Sequence, residues 1–486
     1  MSWGIGKIAH MFDVDVLPPV AAVTSVDDAG LVDVIGDAAK LEAATMARRL
    51  AAMAELFHRR LKQDEAKRDR FRVDVWDCVC AEIAAAQNIS RHRASSLLDT
   101  AVVLSEDLPK VAEVFTQGKV DYRVVAAVVS RTRLVKDHED VARVDALLAP
   151  RLVGWNKLSN KKLADKIDWC VSDVDLLAKK EARSADEDRH IGIGPDRRGM
   201  AELWGSLRAP DALAFEARMD QLADTVCAHD PRTKAQRRAD AVGAWSGGQD
   251  RLACLCDRDD CSAGSVEPAK DVAIQVLAEE GTVNGTSDTP GYVPGYGPMS
   301  AEAVRDLVKR AHTRMVRHPG DAPAELRYRP SAALADFVRF RDLTCRFPGC
   351  DVPAEFCDID HTVPYPYGPT HASNLKCMCR FEHLIKTFYD GPGGWSDRQY
   401  PDGTVEWTSP TGHIWTTKPG GALFFPRLAK PTGKLVLPSE IPRKPGRGLM
   451  MPTRTRTRDE DRKARVEYER ARNYKRLCTD VEPPPF

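Results

Sequence analysis

Apolar residues recur at helical spacing along the first half of the chain. Within residues 38–63 the apolar positions on one helical face are Leu50, Met53, Phe57 and Leu61. Arg and Lys lie between them, a pattern typical of an amphipathic helix. Further helices are predicted over 120–133, 139–149, 211–226 and 300–316. Asp211, after Pro210, is the predicted N-cap of the third of these. We therefore expect a mainly α-helical N-terminal domain over residues 30–250.

The segment over residues 80–100 predicts two short helices joined by a tight turn. An Ala-rich run ends at Gln87, and Ser90 can cap a second helix. That helix carries Arg91 and Arg93 at its start, as the recognition helix of a helix-turn-helix would. Two interpretations stay open: a DNA-binding helix that uses Arg91 and Arg93, and a plain helical corner.

The pattern changes over residues 251–330, which we interpret as a mixed connector that contains cysteines. Cys254, Cys256 and Cys261 lie in a short acidic loop, ahead of an apolar, strand-like run over 272–277. Three cysteines this close can hold part of a zinc site, although the sequence shows no fourth ligand nearby. The alternative is a reduced loop without a metal.

Strand and turn patterns dominate the last third of the chain. Ser331 is the predicted cap of a helix over 332–341, residues 358–363 alternate as a strand does, and another helix is expected from about Glu382. Residues 395–415 alternate polar and aromatic side chains around two Pro-x-Gly turns, which predicts flanking hairpin strands. We expect a small α+β domain over residues 331–425.

Residues 440–486 form a basic tail that ends in a helix-like stretch. Lys and Arg side chains that neutralise phosphates would give DNA binding that weakens steeply with salt. The alternative is a solvated, partly disordered tail.

Composition narrows the classes of function without selecting one. The 486 residues include 71 Lys and Arg against 71 Asp and Glu, so any nucleic-acid surface must be local. Neither a secretory pattern nor an apolar run of roughly 18 residues is visible, so we expect a cytoplasmic protein with no membrane partner. In that reducing location, 13 cysteines, several of them clustered, indicate metal ligation and buried thiols. The oligomeric state is not predicted.

The densest group of chemically active side chains lies between residues 345 and 388. Asp360 and His361 end a predicted strand, Asn374 follows a Pro- and Gly-rich loop, and His383 and Lys386 share one face of a helix. A base, metal-binding oxygen and nitrogen atoms, and a frame of cysteines are what metal-dependent cleavage of a phosphodiester requires.

This region resembles the HNH endonucleases, which have the ββα-metal fold. The matching residues are Asp360-His361, Asn374 and the run Cys379-x-x-x-His383-x-x-Lys386. The phrases RDLTCRFPGC, DIDHTVPYP, GPTHASNLKC and GLMMPTR are also similar to a multi-copy mycobacterial repeat family. In that family a helical domain of unknown function precedes the nuclease motif. The resemblance implies an HNH nuclease domain over residues 331–425.

The resemblance also implies a role for each residue of the motif. His361 would be the general base, and Asp360 and His383 would bind one divalent ion, Mg²⁺ or Mn²⁺. Asn374 would either complete the metal shell or fix the loop that carries the base. Lys386 is a candidate phosphate contact, and a solvated helical lysine is the alternative.

A separate structural zinc is implied by the cysteines. Cys345, Cys350 and Cys379 would supply the first three ligands. The family has Cys or His where this chain has Glu382, and glutamate is an uncommon ligand among thiolates. Cys377 or Cys357 are alternative fourth ligands.

The predicted function is a metal-dependent endonuclease that hydrolyses DNA phosphodiester bonds. An alternative is a DNA-binding protein that has the HNH fold and has lost cleavage activity. A third hypothesis makes the helical domain an assembly module.

Overall fold

The structure is a computed structural model. It describes residues 20–64, 68–178, 189–196, 200–256, 258–261, 263, 275–294, 297–309, 311–389, 394–438 and 447–479. The expectation about a secretory signal concerns residues that lie almost wholly outside these ranges. Half of the strand expected over 272–277 also lies outside the described residues, and Leu277 pairs with Tyr292 in an isolated bridge. Among the described helices, none has both the length and the apolar character needed to cross a membrane.

Seven helices of the N-terminal region share one apolar core. Their bounds are α1 Asp28–Gln63, α2 Val75–Gln87, α3 Arg91–Glu106, α4 Pro109–Thr116, α5 Tyr122–Thr132, α6 His138–Leu148 and α7 Asn160–Ser172. Six of them begin after an Asp or Ser whose side chain accepts a backbone N–H of the first turn. Fully buried members of the core include Leu98, Phe115, Val128 and Leu148. The expected helical N-terminal region is confirmed.

A hairpin and two helices follow, with a small core of their own. The elements are β1 His190–Pro195, β2 Ala201–Ser206, α8 Ala209–Ala223 and α9 Lys234–Ser246. The buried core residues between α8 and α9 are Met219, Leu222 and Ala241. The prediction of Asp211 as N-cap is wrong, because α8 begins two residues earlier after Arg208. A helix tolerates Pro210 in its first turn, where the backbone N–H would have no helical partner.

The connector to the C-terminal region contains short elements. They are α10 Glu280–Val283, β3 Gly291–Val293, β4 Gly297–Met299 and α11 Ala301–Val308. Ser300 caps α11 as its position suggests, but the predicted extension to residue 316 is wrong. The chain leaves the helix after Val308, and Val316 packs against the C-terminal core instead.

The C-terminal region combines helices with small antiparallel sheets, as expected. Its elements are α12 Ala332–Asp342, β5 Cys357–His361, β6 Leu375–Cys379, α13 Arg380–Phe388, β7 Ser396–Gln399, β8 Val405–Thr408, β9 Ile414–Thr417, α14 Gly421–Phe424 and α15 Arg458–Thr479. Strands β5 and β6 pair with each other, and β7, β8 and β9 form a meander. The two Pro-x-Gly turns join the meander strands, which confirms the predicted hairpins.

Helix α2 contributes to two cores at once. Val79 and Ile83 pack in the helical core, whereas Ala81 and Ala85 pack with the C-terminal elements. Two faces of one helix are therefore buried against different parts of the chain. This arrangement explains why α2 has almost no polar face.

The basic tail returns to the helical region. Thr453 forms a bridge with Phe71, Arg458 forms ion pairs with Asp74, and Arg470 donates to the carbonyl of Leu134. Residues 458–479 form one helix, α15. Intramolecular pairs therefore hold residues 447–479 against the fold, and most residues of α15 are exposed to solvent.

Candidate functional site

The strand pair β5 and β6 and the helix α13 bring the predicted site residues together. Antiparallel pairing sets His361, at the end of β5, opposite Leu375, at the start of β6. Asn374 directly precedes β6, and α13 folds back onto both strands. Asp360, His361 and Asn374 are all buried.

Asp360 and His383 present two ligand-type atoms to one point. Oδ1 of Asp360 lies 3.3 Å from Nε2 of His383. The other ring nitrogen, Nδ1, lies 3.0 Å from Oδ2 of Asp358, which fixes the orientation of the imidazole. Carboxylates orient metal-binding histidines in this way, through the nitrogen that does not bind the metal. The pair Asp360 and His383 therefore has the spacing of two neighbouring ligands of one ion.

Two lysines surround the second oxygen of Asp360, the fully buried Lys376 and the largely buried Lys386. Oδ2 accepts hydrogen bonds from Nζ of Lys376 at 3.0 Å and from Nζ of Lys386 at 2.5 Å. Both ammonium groups also pair with Oδ2 of Asp397, which lies 2.6 Å from Nζ of Lys376 and 3.4 Å from Nζ of Lys386. Burial alone would raise the pKa of Asp360, but the two lysines hold it well below its usual range. Lys386 is thus buried beside a carboxylate, and it also donates to the carbonyl of His361.

His361 is held as a neutral imidazole with a defined tautomer. Its Nε2 lies 2.9 Å from Oγ1 of Thr370. The single hydroxyl proton of Thr370 is donated to the carbonyl of Arg327, so Oγ1 accepts from Nε2–H of His361. Nδ1 then carries the lone pair. Burial lowers the pKa of His361, which favours the neutral form.

An exposed aromatic ring covers the imidazole. Tyr328 stacks on His361 with 5.4 Å between ring centroids and 15° between planes, and 62% of Tyr328 is exposed. Tyr365 flanks the same ring at 6.1 Å. The base candidate is therefore bordered on the solvent side by two tyrosines.

Asn374 fixes the loop between the strands. Its Oδ1 accepts from the backbone N–H of Val363 at 2.8 Å, and its Nδ2 donates to the carbonyls of Val363 and Pro369, both at 3.0 Å. Both ends of the amide are engaged with the loop that follows His361. Of the two roles left open for Asn374, the contacts are those of a loop anchor.

Three of the predicted zinc ligands form a tight group. The sulfurs of Cys345, Cys350 and Cys379 lie within 4.8 Å of one another and can hold a metal ion. Sγ of Cys350 and Sγ of Cys379 are 3.9 Å apart, close to the spacing of about 3.8 Å that a tetrahedral ion with 2.3 Å bonds would set. Hydrogen bonds from the other two thiols lower the pKa of Cys379 to about 3.

The fourth position of that group faces a buried glutamate. Glu382 is 2% exposed, and its Oε2 has no hydrogen-bond partner among the described residues. Burial and the neighbouring Cys379 raise the pKa of Glu382 well above its usual range. Glu382 is not among the atoms that group within 4.8 Å, and neither is Cys357 or Cys377. Of the three alternatives, Glu382 alone leaves a buried polar atom unpartnered.

Arg91 reaches this group from the helical region. Its guanidinium lies 3.7 Å from the ring centroid of Phe381, and its Nε lies 4.0 Å from Oε1 of Glu382. Arg93, two residues later, is exposed. In the first turn of α3, Arg91 therefore contacts α13, whereas Arg93 is exposed to solvent.

The helical corner that precedes α3 is itself an interface. Gly349, in the turn between Cys345 and Cys350, has φ +78 and packs so closely that a Cβ would lie 2.6 Å from the carbonyl of Ile89. The predicted helix, turn and Ser90 cap are confirmed. Beyond its first turn, however, α3 buries most of its length in the helical core. This geometry is that of a packed helical corner.

A second cysteine group contains a ligand that sequence reasoning missed. Cys254, Cys256 and Cys261 lie within 4.8 Å of the sulfur of Cys227, and the four can hold a metal ion. Cys227 lies after α8, far from the others in sequence. Because Cys227 is distant along the chain, the local spacing of cysteines could not identify it as the fourth ligand.

Other residues of the site also escaped sequence reasoning. Lys376 and Asp397 meet only because β6 packs beside β7, and Thr370 reaches His361 from the loop. For Asp358 a signal existed, because strand alternation places it on the same face as Asp360.

The fold and the site define a helical protein with a small α+β unit that carries buried carboxylate and histidine groups and a frame of cysteines. The chain belongs to the family described as domain of unknown function DUF222, whose model matches residues 37–342. It is 43% identical over 523 residues to the Mycobacterium tuberculosis "Uncharacterized protein Rv2100", covering 99% of this chain and 94% of the relative. It is 44% identical over 490 residues to "Uncharacterized protein Rv3776" of the same species, covering 95% and 93%. No solved structure matches the chain.

The family match and the candidate site occupy different parts of the chain. The match ends at Asp342, before β5, whereas the alignments with the two relatives span nearly the whole chain. The names of these two relatives assign no activity to either. Any function must therefore be argued from the residues of the site.

Proposed function

We propose that the protein is a metal-dependent endonuclease of the HNH type, which hydrolyses phosphodiester bonds in DNA. The observation that carries the proposal is the convergence of Asp360 Oδ1 and His383 Nε2, 3.3 Å apart, beside a neutral imidazole at His361. The order β5, β6 and α13 is that of a ββα unit, with Asp360 and His361 at the end of the first strand and His383 on the helix.

His361 acts as the general base in this proposal. Oγ1 of Thr370 accepts a hydrogen bond from Nε2–H of His361, so the lone pair on Nδ1 is available to take a proton from water. The lowered pKa of His361 keeps that lone pair unprotonated at neutral pH. Asn374 is a positioning residue, since its three hydrogen bonds fix the loop beyond the base.

Asp360 and His383 would hold Mg²⁺ or Mn²⁺, with Asp358 orienting the imidazole. A bound divalent ion supplies charge stabilisation at the scissile phosphate and at the leaving oxygen. Hard oxygen and imidazole donors suit such ions better than thiolates do. Only Oδ1 of Asp360 is available for this role, because two lysines engage Oδ2.

The cysteine group at Cys345, Cys350 and Cys379 would hold a structural Zn²⁺ in the same proposal. The unpartnered Oε2 of Glu382 is the observation that fits a fourth ligand. A zinc held there would link the start of α13 to the turn that precedes β5. Such a link would add the free energy of metal binding to the stability of this unit.

A second candidate function is DNA binding without cleavage. The observation that favours it is the pair of ammonium groups, Lys376 and Lys386, at Asp360. They neutralise the carboxylate that should bind the ion, and their positive charges repel a divalent cation. In that case exposed basic side chains such as Arg93 would contact phosphate without hydrolysis, since Lys376 is fully buried.

The test is nicking of supercoiled plasmid DNA with added Mg²⁺ or Mn²⁺. Wild type should convert plasmid to the open circular form, and His361→Ala should be slower by roughly 10²–10⁴-fold, the usual contribution of a general base. His413→Ala is the control, because His413 is exposed on the meander of the same region. It should nick at the wild-type rate.

The two candidates give different results in this experiment. If wild type and His361→Ala both leave the plasmid intact and shift it equally on a gel, the binding function is correct. If wild type neither nicks nor shifts the DNA, both candidates are excluded.

A further inference from the structure

Four cysteines outside the proposed nuclease site converge on one point. Cys227 follows α8, whereas Cys254, Cys256 and Cys261 lie in the loop after α9. Sγ of Cys227 is 3.5 Å from Sγ of Cys254 and 3.4 Å from Sγ of Cys256. All four sulfurs lie within 4.8 Å of one another.

We propose that these four thiolates bind one Zn²⁺ as a closed structural site. A tetrahedral ion with Zn–S bonds of about 2.3 Å would place the sulfurs about 3.8 Å apart, near the separations observed. A disulfide would require about 2.05 Å and would join the cysteines in pairs. Four sulfurs around one point match a single ion, because a multi-iron cluster would spread them over several metal atoms.

The chemistry of the ligand set selects the ion. Thiolates are soft ligands that favour Zn²⁺ over Mg²⁺, Ca²⁺ or Mn²⁺. Four protein ligands complete a tetrahedral shell and leave no position for water or a substrate. The site therefore stabilises the fold and takes no part in hydrolysis, and it is independent of the proposed function.

The loop that carries three of the cysteines is held in place by the segment that carries the fourth. Asp230 accepts from the backbone N–H of Leu255 at 3.0 Å, between Cys254 and Cys256. Arg232 donates to the carbonyl of Ala253 at 2.6 Å and pairs with Asp230. Thr225 accepts from the backbone N–H of Leu252 at 2.9 Å. These bonds orient the sulfurs before any ion binds, as the outer shell of a metal site does.

The apolar core of the surrounding unit is small. The core between α8 and α9 has three buried side chains, Met219, Leu222 and Ala241. Small units with such cores commonly depend on metals or disulfides. The four cysteines are free thiols and form no disulfides. A bound metal ion is then the strong cross-link that could join α8 to the loop after α9.

The test measures zinc per chain in purified full-length protein by mass spectrometry of the metal. Cys227→Ser and Cys256→Ser should each bind one zinc ion fewer than wild type. Cys350→Ser should leave this ion in place, whatever the other cysteine group binds. Cys170→Ala is the control, because Cys170 is a buried thiol of α7 that belongs to neither group. It should retain the wild-type zinc content.

A second measurement uses the wild-type chain, in case a serine variant fails to fold. Amide hydrogen exchange is measured with and without a strong chelator. The chelator should lower the protection of residues 211–256 against exchange and leave that of α5 unchanged. Equal zinc content in wild type and Cys227→Ser would overturn the proposal. So would a wild-type chain that contains no zinc or that forms disulfides among the four cysteines.

Discussion

Nζ of Lys386 lies 2.5 Å from Oδ2 of Asp360, while Oδ1 of the same carboxylate lies 3.3 Å from Nε2 of His383. One carboxylate is thus shared between an ammonium group and the place proposed for a divalent ion. The two cations compete through a short distance in a buried environment, where charge interactions are strong. If the proposed ion binds there, this competition would limit its affinity.

Replacement of Lys386 by methionine should strengthen metal binding. Methionine keeps a long apolar side chain and removes the charge, and unit charges about 4 Å apart interact by several kcal/mol near a protein surface. We expect Lys386→Met to bind Mn²⁺ at least about tenfold more tightly by titration calorimetry without DNA. Lys463→Met, at an exposed position of α15, should match wild type. Unchanged affinity in Lys386→Met would show that the ammonium does not compete with the ion.

Removal of the Asn374 side chain should destabilise the fold. Asn374 is fully buried and makes three hydrogen bonds with backbone groups of the loop that connects β5 to β6. Each lost bond costs about 1 kcal/mol, and the partners left buried add to this. We expect Asn374→Ala to lower the free energy of unfolding by about 2–4 kcal/mol in urea. The exposed Asn284, changed to alanine, should shift it by less than about 0.5 kcal/mol.

Arg91 and Arg93 should respond differently to the same substitution. Arg91 lies over the ring of Phe381 and approaches Glu382, whereas Arg93 is exposed. Because Arg91 is partly exposed, its loss should cost only about 1 kcal/mol of stability. Thermal unfolding should therefore show a lower midpoint for Arg91→Ala than for Arg93→Ala. Equal midpoints would mean that Arg91 adds nothing to the interface.

The contact between the tail and the helical region should be sensitive to Arg454. Its Nε donates to the carbonyl of Phe71 at 2.9 Å, and its guanidinium pairs with the buried Asp74. Removal leaves that carboxylate with Arg458 and the backbone N–H of Asp77 as partners, so we expect Arg454→Ala to cost about 2 kcal/mol of unfolding free energy. Arg456→Ala, at an exposed position of the same segment, is the control. A similar loss in both variants would contradict this role for Arg454.

Glu382→His should strengthen zinc binding at Cys345, Cys350 and Cys379. Histidine is a common fourth ligand beside three thiolates, whereas glutamate is not. Under competition with a chelator we expect Glu382→His to retain the ion about tenfold longer than wild type. Glu382→Gln keeps the size and removes the ligand charge, so it should lose zinc faster. If all three chains release zinc at one rate, position 382 does not bind the metal.

Local patterns in the sequence predicted many elements correctly. The caps at Ser90 and Ser331 and the two meander turns all occur where the pattern places them, because they depend on neighbouring residues alone. The predicted start of α8 was wrong, because both Asp211 and the residue before Pro210 are compatible with the start of a helix. Local preferences could not separate these two choices.

The sequence by itself determined the helical character of the N-terminal region, the meander, and the spacing of Asp360, His361, Asn374 and His383. Tertiary structure decided which groups meet these residues. Lys376 and Lys386 reach Asp360, Arg91 reaches Glu382, and Cys227 joins a distant cysteine loop. Helical and strand periods arise from interactions a few residues apart, whereas these meetings depend on how separate elements pack. The sequence thus predicted the candidate ligands, and the packing determined the charges that surround them.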